Sequence, residues 1–327
     1  MTTLGPVERR VLGQLDLDPH QPLQKAARVV GMHAASFQRV TQRLRERHGM
    51  QVRPFINMLR LGYQDVVVYA NIAPTSAQKQ RHLIRRITEH GSVSWLSYLI
   101  GDYQLAFAFF CRHLNELSAF MESLSPGEDE TFTSWLVSPR IRYTQFNRKY
   151  LIEKGTTIRA YDFDFGREVP VIDELDSKIL WTIANTEHES NRSVARYLGS
   201  PPATIDRRVN RLKEEGILLG SMALIPAAAL GMTVYRILLT CTFLNQDLRK
   251  RLQDFCTQHP HVVFLIESLG PYNFEIGVEV SSPGEIPVLA QELQAVCDKA
   301  LYAVQTYMEV EDLKWSFYPM RPATVPR

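Results

Sequence analysis

Two basic segments of the chain, about 170 residues apart, combine guanidinium, hydroxyl and carboxamide side chains. The later segment carries Thr204, Arg207, Arg208, Asn210 and Arg211, and the earlier one carries His33, Ser36, Gln38, Arg39, Gln42 and Arg43. Guanidinium groups bind phosphates, and both guanidinium and carboxamide groups pair with base edges in the major groove. The two segments are therefore predicted to be DNA-binding surfaces.

A helix-turn-helix is the element that must position these side chains. In the later segment, Ile205, Val209 and Leu212 follow helical spacing, and the helix is predicted to end at Gly216. Ser200-Pro201-Pro202 supplies an N-cap and first-turn prolines. A short helix before it stops at Gly199, a residue suited to a left-handed helix end.

The earlier segment follows the same plan, with a turn at Gly31 and a third helix around Phe37, Thr41 and Leu44. After the later helix, residues 217–225 read as a short β-wing that closes a winged helix-turn-helix. The alternative is a pair of small helical bundles with solvated basic faces.

The charge of the two predicted DNA-binding modules differs. Residues 1–60 hold ten Lys and Arg against four Asp and Glu, a formal charge of +6. Residues 173–220 hold seven against eight, a formal charge of −1. Because phosphate attraction dominates affinity for DNA, the first module is expected to supply most of the electrostatic attraction.

The rest of each half alternates strands and helices in the order β-α-β-β-α-β, which is the ferredoxin-like plan. Both copies contain a turn of the form Gly-x-Tyr, at Gly101-Asp102-Tyr103 and at Gly270-Pro271-Tyr272. The predicted fold class is α+β, with two winged helix-turn-helix domains alternating with two ferredoxin-like domains. We expect the two sheets to pair with each other or with those of another chain.

The duplication divides the chain into five parts. The first copy comprises a winged helix-turn-helix over residues 1–60 and a ferredoxin-like domain over 61–146. The second copy repeats these at 173–230 and 231–327. The connector, 147–172, lacks Gly, Ser and Pro richness and alternates apolar and acidic residues near Tyr161 and Phe163, so we expect an ordered extended segment on a neighbouring sheet.

The composition excludes several classes of protein. The chain of 327 residues is 45% hydrophobic and 22% charged with a formal charge of +2, typical of a globular protein in solution. Its four cysteines have no metal-binding spacing, and no nucleophile–base pair or Gly-rich phosphate loop is recognisable. We therefore predict no catalytic residue, metal or cofactor. With no apolar run of 18 residues and no signal-like N-terminus, a cytoplasmic protein without a membrane partner is expected.

This arrangement resembles the Lrp/AsnC (leucine-responsive, or feast/famine) family of prokaryotic transcription regulators. The resemblance is close over 173–317, through LDSKIL, SVARYLGSPPATIDRRVNRLKEEGIL, ALIPAAALG and SLGPYNFEI. It is looser over 7–146, through AARVVG, SFQRVTQRLRE, LRLGY and LIGDYQLAF. Since family members are usually single units of about half this length, the chain looks like two fused subunits, and the resemblance implies a homo-oligomer, a dimer of such pseudo-dimers.

The resemblance also implies a small-molecule effector, an amino acid or another metabolite, near the Gly-x-Tyr turns. The implied contact residues are Gly101, Asp102, Tyr103, Gln104, Gly270, Pro271, Tyr272 and Asn273. Relatives often have Asp where this chain has Gln104 and Asn273, so a free amino acid is not the expected effector.

Two other functions use the same scaffold. Siroheme decarboxylases, including tandem fusions, resemble this family but act on a tetrapyrrole through His and Arg residues, which here are scattered among His90, Arg112, His113, His259 and His261. A sensor or assembly protein that has lost DNA binding is the third alternative, supported by the weak charge of the second module.

Overall fold

The computed structural model describes residues 3–125, 131–153, 155–186, 190–323 and 325, in which helices and strands follow one another in two similar rounds. The first round contains α1 (Pro6–Leu17), α2 (Leu23–Val29), α3 (Ala34–His48), β1 (Gln51–Ile56), β2 (Gln64–Ile72), α4 (Ala77–Glu89), β3 (Val93–Ile100), β4 (Leu105–Cys111), α5 (Leu114–Leu124) and β5 (Phe132–Phe146). Strand β6 (Ala160–Phe163) lies in the connector. The second round contains α6 (Glu174–Asn185), α7 (Asn191–Leu198), α8 (Pro202–Glu214), β7 (Leu218–Leu224), β8 (Thr233–Cys241), α9 (Gln246–Gln258), β9 (Val262–Ser268), β10 (Phe274–Val280), α10 (Glu285–Cys297) and β11 (Leu301–Trp315). The α+β class and the duplication are confirmed.

The ferredoxin-like sheets of the two copies join into one closed barrel. The strands follow the order β2-β4-β3-β11-β8-β10-β9-β5, and β5 pairs again with β2. The last strand of each copy therefore belongs to both sheets, since β5 pairs with β2 and with β9 of the second copy, and β11 pairs with β8 and with β3 of the first. All these pairs are antiparallel, and the expected pairing of copy 1 with copy 2 occurs through main-chain hydrogen bonds.

The wing strands also pair between copies, which corrects the expectation that each wing closes its own module. Strand β1 of the first copy runs antiparallel to β7 of the second, with Arg53 opposite Met222. The end of each strand and the chain that follows it then pack on the helices of the other copy. Ile56, Met58 and Leu61 join the core of the second module, and Ala223, Ile225 and Leu230 join that of the first.

Helix α8 begins one residue later than predicted. Its N-cap is Pro201 rather than Ser200, and Pro202 occupies the first turn. Pro202 at the first helical position has no N–H to leave without a partner, and the Thr204 N–H donates to the Pro201 carbonyl at 3.0 Å. The turn residues Gly31 and Gly199 both adopt the left-handed conformation, with φ of +68° and +63°.

The connector lies against the barrel and the wings. Strand β6 pairs antiparallel with the end of β5. Its alternate residues Tyr161 and Phe163 are buried and contact Phe55 of the wing, with ring centroids at 4.7 Å and 5.8 Å. The connector therefore fixes the wings against the barrel.

Among the described helices, none is long and apolar enough to span a membrane.

Gly277 of β10 allows the Phe264 ring of β9 to lie across the sheet, because a Cβ at Gly277 would lie 2.0 Å from Cε1 of that ring. We expect Gly277→Ala to lower the free energy of unfolding by about 1–3 kcal/mol through overpacking. Gly91→Ala is the control, because nothing lies within 4 Å of its Cβ position. Denaturant unfolding of both variants checks this, and an equal, small effect of the two substitutions would contradict the packing argument.

Candidate nucleic-acid interface and the cavity beneath it

Helix α3 presents a polar face opposite its buried side. Phe37, Val40 and Leu44 are buried, and the helix ends at the left-handed residue Gly49. The predicted contact residues His33, Gln38, Arg39, Gln42 and Arg43 are exposed, and Ser36 is half-buried. The six predicted residues of the first module therefore lie on or beside one accessible helix face.

Few contacts hold these side chains in place. Arg39 Nη2 donates to Ser36 Oγ at 3.2 Å, and Gln42 Nε2 donates to Glu46 Oε1 at 2.7 Å. Within the described residues, Arg43 makes no hydrogen bond or ion pair. Since Arg43 is also exposed, its guanidinium is available to a phosphate.

Helix α8 of the second module divides its predicted residues into two sets. Arg207 and Asn210 are exposed and Thr204 is half-buried. Arg208 and Arg211 instead point to the start of α6. Arg208 Nη1 lies 2.6 Å from Asp173 Oδ2 and 2.9 Å from Asp176 Oδ1, and Arg211 Nη2 pairs with Asp176 Oδ2.

The ion pairs of Arg208 follow from its position on the helix. When the two modules are aligned on Gly31 and Gly199, Arg208 falls at the position of Val40, which is buried in the first module. Ile205, Arg208 and Leu212 share one helix face because residues at i, i+3 and i+7 do so. The helical period therefore contained the signal that Arg208 faces inward, and the structure does not place it with the exposed contact residues.

The Asp173 carboxylate also responds to this contact. Hydrogen bonding to Arg208 lowers the pKa of Asp173 to about 2. The side chain of Asp176 is fully buried. These carboxylates neutralise two of the arginines that the sequence assigned to DNA and account for part of the lower net charge of the second module.

The two Gly-x-Tyr turns lie at the contact between the copies. Tyr272 is buried and its ring lies 6.2 Å from that of Tyr69 of the first copy. Tyr103 is half-buried, 6.0 Å from Tyr69 and 6.2 Å from Tyr307 of the second copy. The structure therefore brings parts of both predicted effector turns to one tyrosine cluster, whereas Gly101, Asp102, Gly270 and Pro271 are exposed.

The carboxamides of the two turns occupy equivalent structural positions. Gln104 Oε1 accepts a hydrogen bond from the Ile72 N–H at 3.2 Å, and Asn273 Oδ1 accepts one from the Cys241 N–H at 2.6 Å. Ile72 and Cys241 are the last residues of β2 and β8. Each carboxamide therefore satisfies a main-chain donor at a strand end.

The barrel contains an ion network that joins the two copies. Arg140 of the first copy lies 3.5 Å from Asp65 and 3.2 Å from Glu275 of the second copy. Glu275 also pairs with Arg236, which in turn pairs with Glu309. The sequence analysis missed this network, although Arg236 and Glu275 each interrupt an apolar strand, which was the available signal.

A second ion cluster links the barrel to the first helix-turn-helix module and to the wing strand of the second copy. Arg148 Nη1 lies 3.1 Å from Asp16 of α1, and Arg148 Nε lies 3.0 Å from Glu279 of β10. Arg148 Nη1 also donates to the carbonyl of Ala223 in β7 at 3.2 Å. One buried guanidinium thus contacts the first module, the wing of the second copy and the barrel.

Beneath the wings lies a cavity of about 160 Å³, which we call the inter-copy cavity. Barrel strands of both copies form part of its walls. The other walls include residues after β1, residues of β7 and the chain after it, and residues 315–317. Arg140, Arg148 and Arg236 all line it. Among the described residues, no group of three or more His, Cys, Asp and Glu is arranged to hold a metal ion.

Comparison with known proteins agrees with this architecture. A family model described as winged helix-turn-helix DNA-binding matches residues 172–218. The HTH-type transcriptional regulator FL11 of Pyrococcus horikoshii is 23% identical over 115 residues, which are 35% of this chain and 75% of that protein. The matched family model and this similarity agree with the resemblance to Lrp/AsnC regulators that the sequence indicates.

A further relative is an HTH-type transcriptional regulator of Methanocaldococcus jannaschii, 38% identical over 68 residues, or 21% of this chain and 46% of that protein. The crystal structure of the siroheme decarboxylase NirDL is similar over almost the whole length. It covers 94% of this chain and 92% of that chain with a TM-score of 0.60 and 15% identity. At this identity the similarity concerns the fold, which NirDL shares across both copies.

Glu309 should make stability depend on pH. Burial raises the pKa of Glu309 to about 7. The attraction of Arg236, which also pairs with Glu275, offsets the effect of burial only partly, and the negative charge of Asp312 raises the pKa further. The folded state therefore holds this proton more tightly than the unfolded chain, whose pKa lies near 4.5. The stabilisation of the folded state by this proton is fully present below pH 4.5 and is lost as the pH rises to about 7.

The matched comparison is with Glu309→Gln, which cannot titrate. We expect the unfolding free energy of the wild type, relative to this variant, to fall as the pH is raised from about 5 to about 8. Urea unfolding at several pH values measures it. A difference that stays constant over this interval would show that Glu309 does not titrate there.

Proposed function

We propose that the protein is a DNA-binding transcription regulator whose helices α3 and α8 read two half-sites from one chain. The observation that carries this proposal is that both modules expose a polar third-helix face while their cores are built partly from each other's wing segments. Pairs of helix-turn-helix modules bind half-sites about one helical turn of DNA apart, or a multiple of it. Because the shared cores fix the two modules in one chain, the two half-sites need not be identical.

In this proposal the contacts of α3 come from His33, Ser36, Gln38, Arg39, Gln42 and Arg43. Those of α8 come from Thr204, Arg207 and Asn210, which lie at the positions of Ser36, Arg39 and Gln42 when the modules are aligned. Arg208 and Arg211 hold α8 on α6 through Asp173 and Asp176. They support the DNA-contacting face rather than form it.

The proposal extends to assembly and regulation. Homo-oligomerisation into a dimer of pseudo-dimers is supported by exposed apolar side chains at the turn ends and on the barrel, including Ile100, Trp135 and Leu269, which are 59%, 55% and 55% exposed. An effector at the Gly-x-Tyr turns is supported by the meeting of both turns at the tyrosine cluster. Because Gln104 and Asn273 are engaged by main-chain donors, we expect their contribution to an effector to be indirect.

Replacing Arg39 and Arg43 with Ala should lower DNA affinity more than replacing Arg207 and Arg211, because the first module carries +6 against −1 and Arg211 is neutralised by Asp176. Each lost phosphate contact should reduce the slope of log affinity against log salt by about one. Titrations of labelled DNA at several salt concentrations measure both quantities.

Arg39→Ala and Arg207→Ala are the matched single variants, since the two residues occupy aligned, exposed positions. Because Arg211 supports α8, unfolding of the double variants is measured alongside. Equal losses of affinity and slope from both double variants would contradict the asymmetry between the modules.

The similarity to NirDL makes tetrapyrrole binding the alternative to test. A siroheme site needs cationic groups for many carboxylates, but in the inter-copy cavity Arg140, Arg148 and Arg236 already face carboxylates of the protein. None of the His residues considered from the sequence lines this cavity. We therefore expect no absorbance change and no thermal stabilisation with siroheme or haem under reducing conditions. Stoichiometric binding with a Soret shift, lost on replacing His90, His259 or His261, would favour the tetrapyrrole function instead.

A further inference from the structure

The inter-copy cavity contains more negative than positive groups. Its charged lining consists of the three arginines and four carboxylates, Asp65, Glu279, Glu309 and Asp312. Directly behind them, Glu275 pairs with Arg140 and Arg236, and Asp16 pairs with Arg148. Three guanidinium groups therefore share six carboxyl groups, of which Glu309 is ionised only above about pH 7, so at least five carboxyl groups other than Glu309 face three guanidinium groups. A ligand that complements this surplus carries positive charge.

Two polar atoms in the cavity wall lack partners. Asp65 Oδ1 and Arg140 Nε are buried and have no hydrogen-bond partner among the described residues. Both residues line the cavity and are themselves paired at 3.5 Å through Arg140 Nη1 and Asp65 Oδ2. Buried polar atoms are almost always hydrogen-bonded, so the unpaired Asp65 oxygen, in a residue that lines the cavity, is an acceptor that a ligand's donor would satisfy. Burial also raises the pKa of Asp65, and Arg140 offsets this only partly.

The remaining walls are mostly apolar and include seven aromatic residues. Tyr143 stacks on Phe163 at 4.8 Å, and Phe163 stacks on Phe317 at 5.5 Å, while the guanidinium of Arg236 lies 3.8 Å from the centroid of Trp95. Aromatic rings attract cations and bury apolar groups. Pro226 and Trp315, which also line the cavity, are exposed, so the cavity communicates with solvent.

We propose that the inter-copy cavity binds a small organic cation, an amine with an aromatic or compact apolar body, whose ammonium group donates to Asp65. The volume of about 160 Å³ fits one compact molecule. The site differs from the Gly-x-Tyr turns, whose residues do not line the cavity.

Such a ligand would touch both wings and the barrel at once. Four residues of the wing segments line the cavity. Met58 and Leu59 follow β1, Met222 lies in β7, and Ile225 follows β7. Arg148 in the same wall contacts α1, β7 and β10. The amine therefore acts as an effector of the proposed DNA binding, and its own binding is measurable without DNA, so failure of either proposal is distinguishable from failure of the other.

The test is calorimetric titration of the full chain with three probes of similar shape and different charge. These are 2-phenylethylamine, the neutral 2-phenylethanol and the anionic 3-phenylpropionate. The amine should bind with a dissociation constant of about 1 mM or below. The alcohol should bind about tenfold more weakly, and the acid should not bind. Failure of 2-phenylethylamine to bind, or preference for the acid, would overturn the proposal.

Four variants locate the site. Asp65→Asn should weaken amine binding about tenfold or more, whereas Glu89→Gln, an exposed carboxylate on α4, should leave it unchanged. Asp102→Asn tests whether the amine binds at the Gly-x-Tyr turn instead. If Asp102→Asn loses amine binding while Asp65→Asn retains it fully, the proposal is contradicted. If Asp65→Asn unfolds, Ala227→Phe, which places a ring in the cavity wall without removing a charge, should abolish binding in a folded protein. Unchanged binding in that variant would also contradict it.

Discussion

Each copy of the duplicated unit is completed by strands of the other copy. Strands β5 and β11 each belong to both halves of the barrel, and β1 pairs with β7 between the wings. The helices of each helix-turn-helix module then find part of their core in the other copy's wing strand and in the chain that follows it. Because unpaired strand edges and half-formed cores are unfavourable, neither half is expected to be stable alone. Covalent fusion guarantees that the two halves meet at equal stoichiometry.

The buried charges follow from this exchange. Arg140 reaches Glu275 across the boundary between copies, and Arg148 joins α1, β7 and β10. Buried ion pairs add little net stability because desolvation offsets their attraction, but removing one partner is costly. The network therefore favours the correct pairing of the two copies over alternatives. It also concentrates ionisable groups beneath the wings, where a bound cation or a change in pH alters the supports of both modules together.

Local features of the sequence predicted the elements well, and relations between distant segments less well. Gly31 and Gly199 fixed the turns, and the spacing of Phe37, Leu44, Ile205 and Leu212 fixed the buried sides of α3 and α8. The apolar pattern of residues 217–225 indicated a strand but carried no information on its partner, since any edge strand satisfies the same pattern. Arg208 was assigned to DNA from its charge, whereas its helical position required an inward ion pair. The network of Arg140, Arg236 and Glu275 depends on contacts between copies that no local pattern encodes.

Footprinting on a sequence enriched from genomic fragments tests most directly whether one chain reads two half-sites. Purified protein should enrich a recurrent motif, and one bound chain should protect two half-sites whose centres lie about 10 bp apart or a multiple of that. The variant with Arg39 and Arg43 replaced by Ala should lose protection mainly over one half-site. The absence of any motif above a random-fragment control at low salt, or protection of one half-site per chain, would contradict the account.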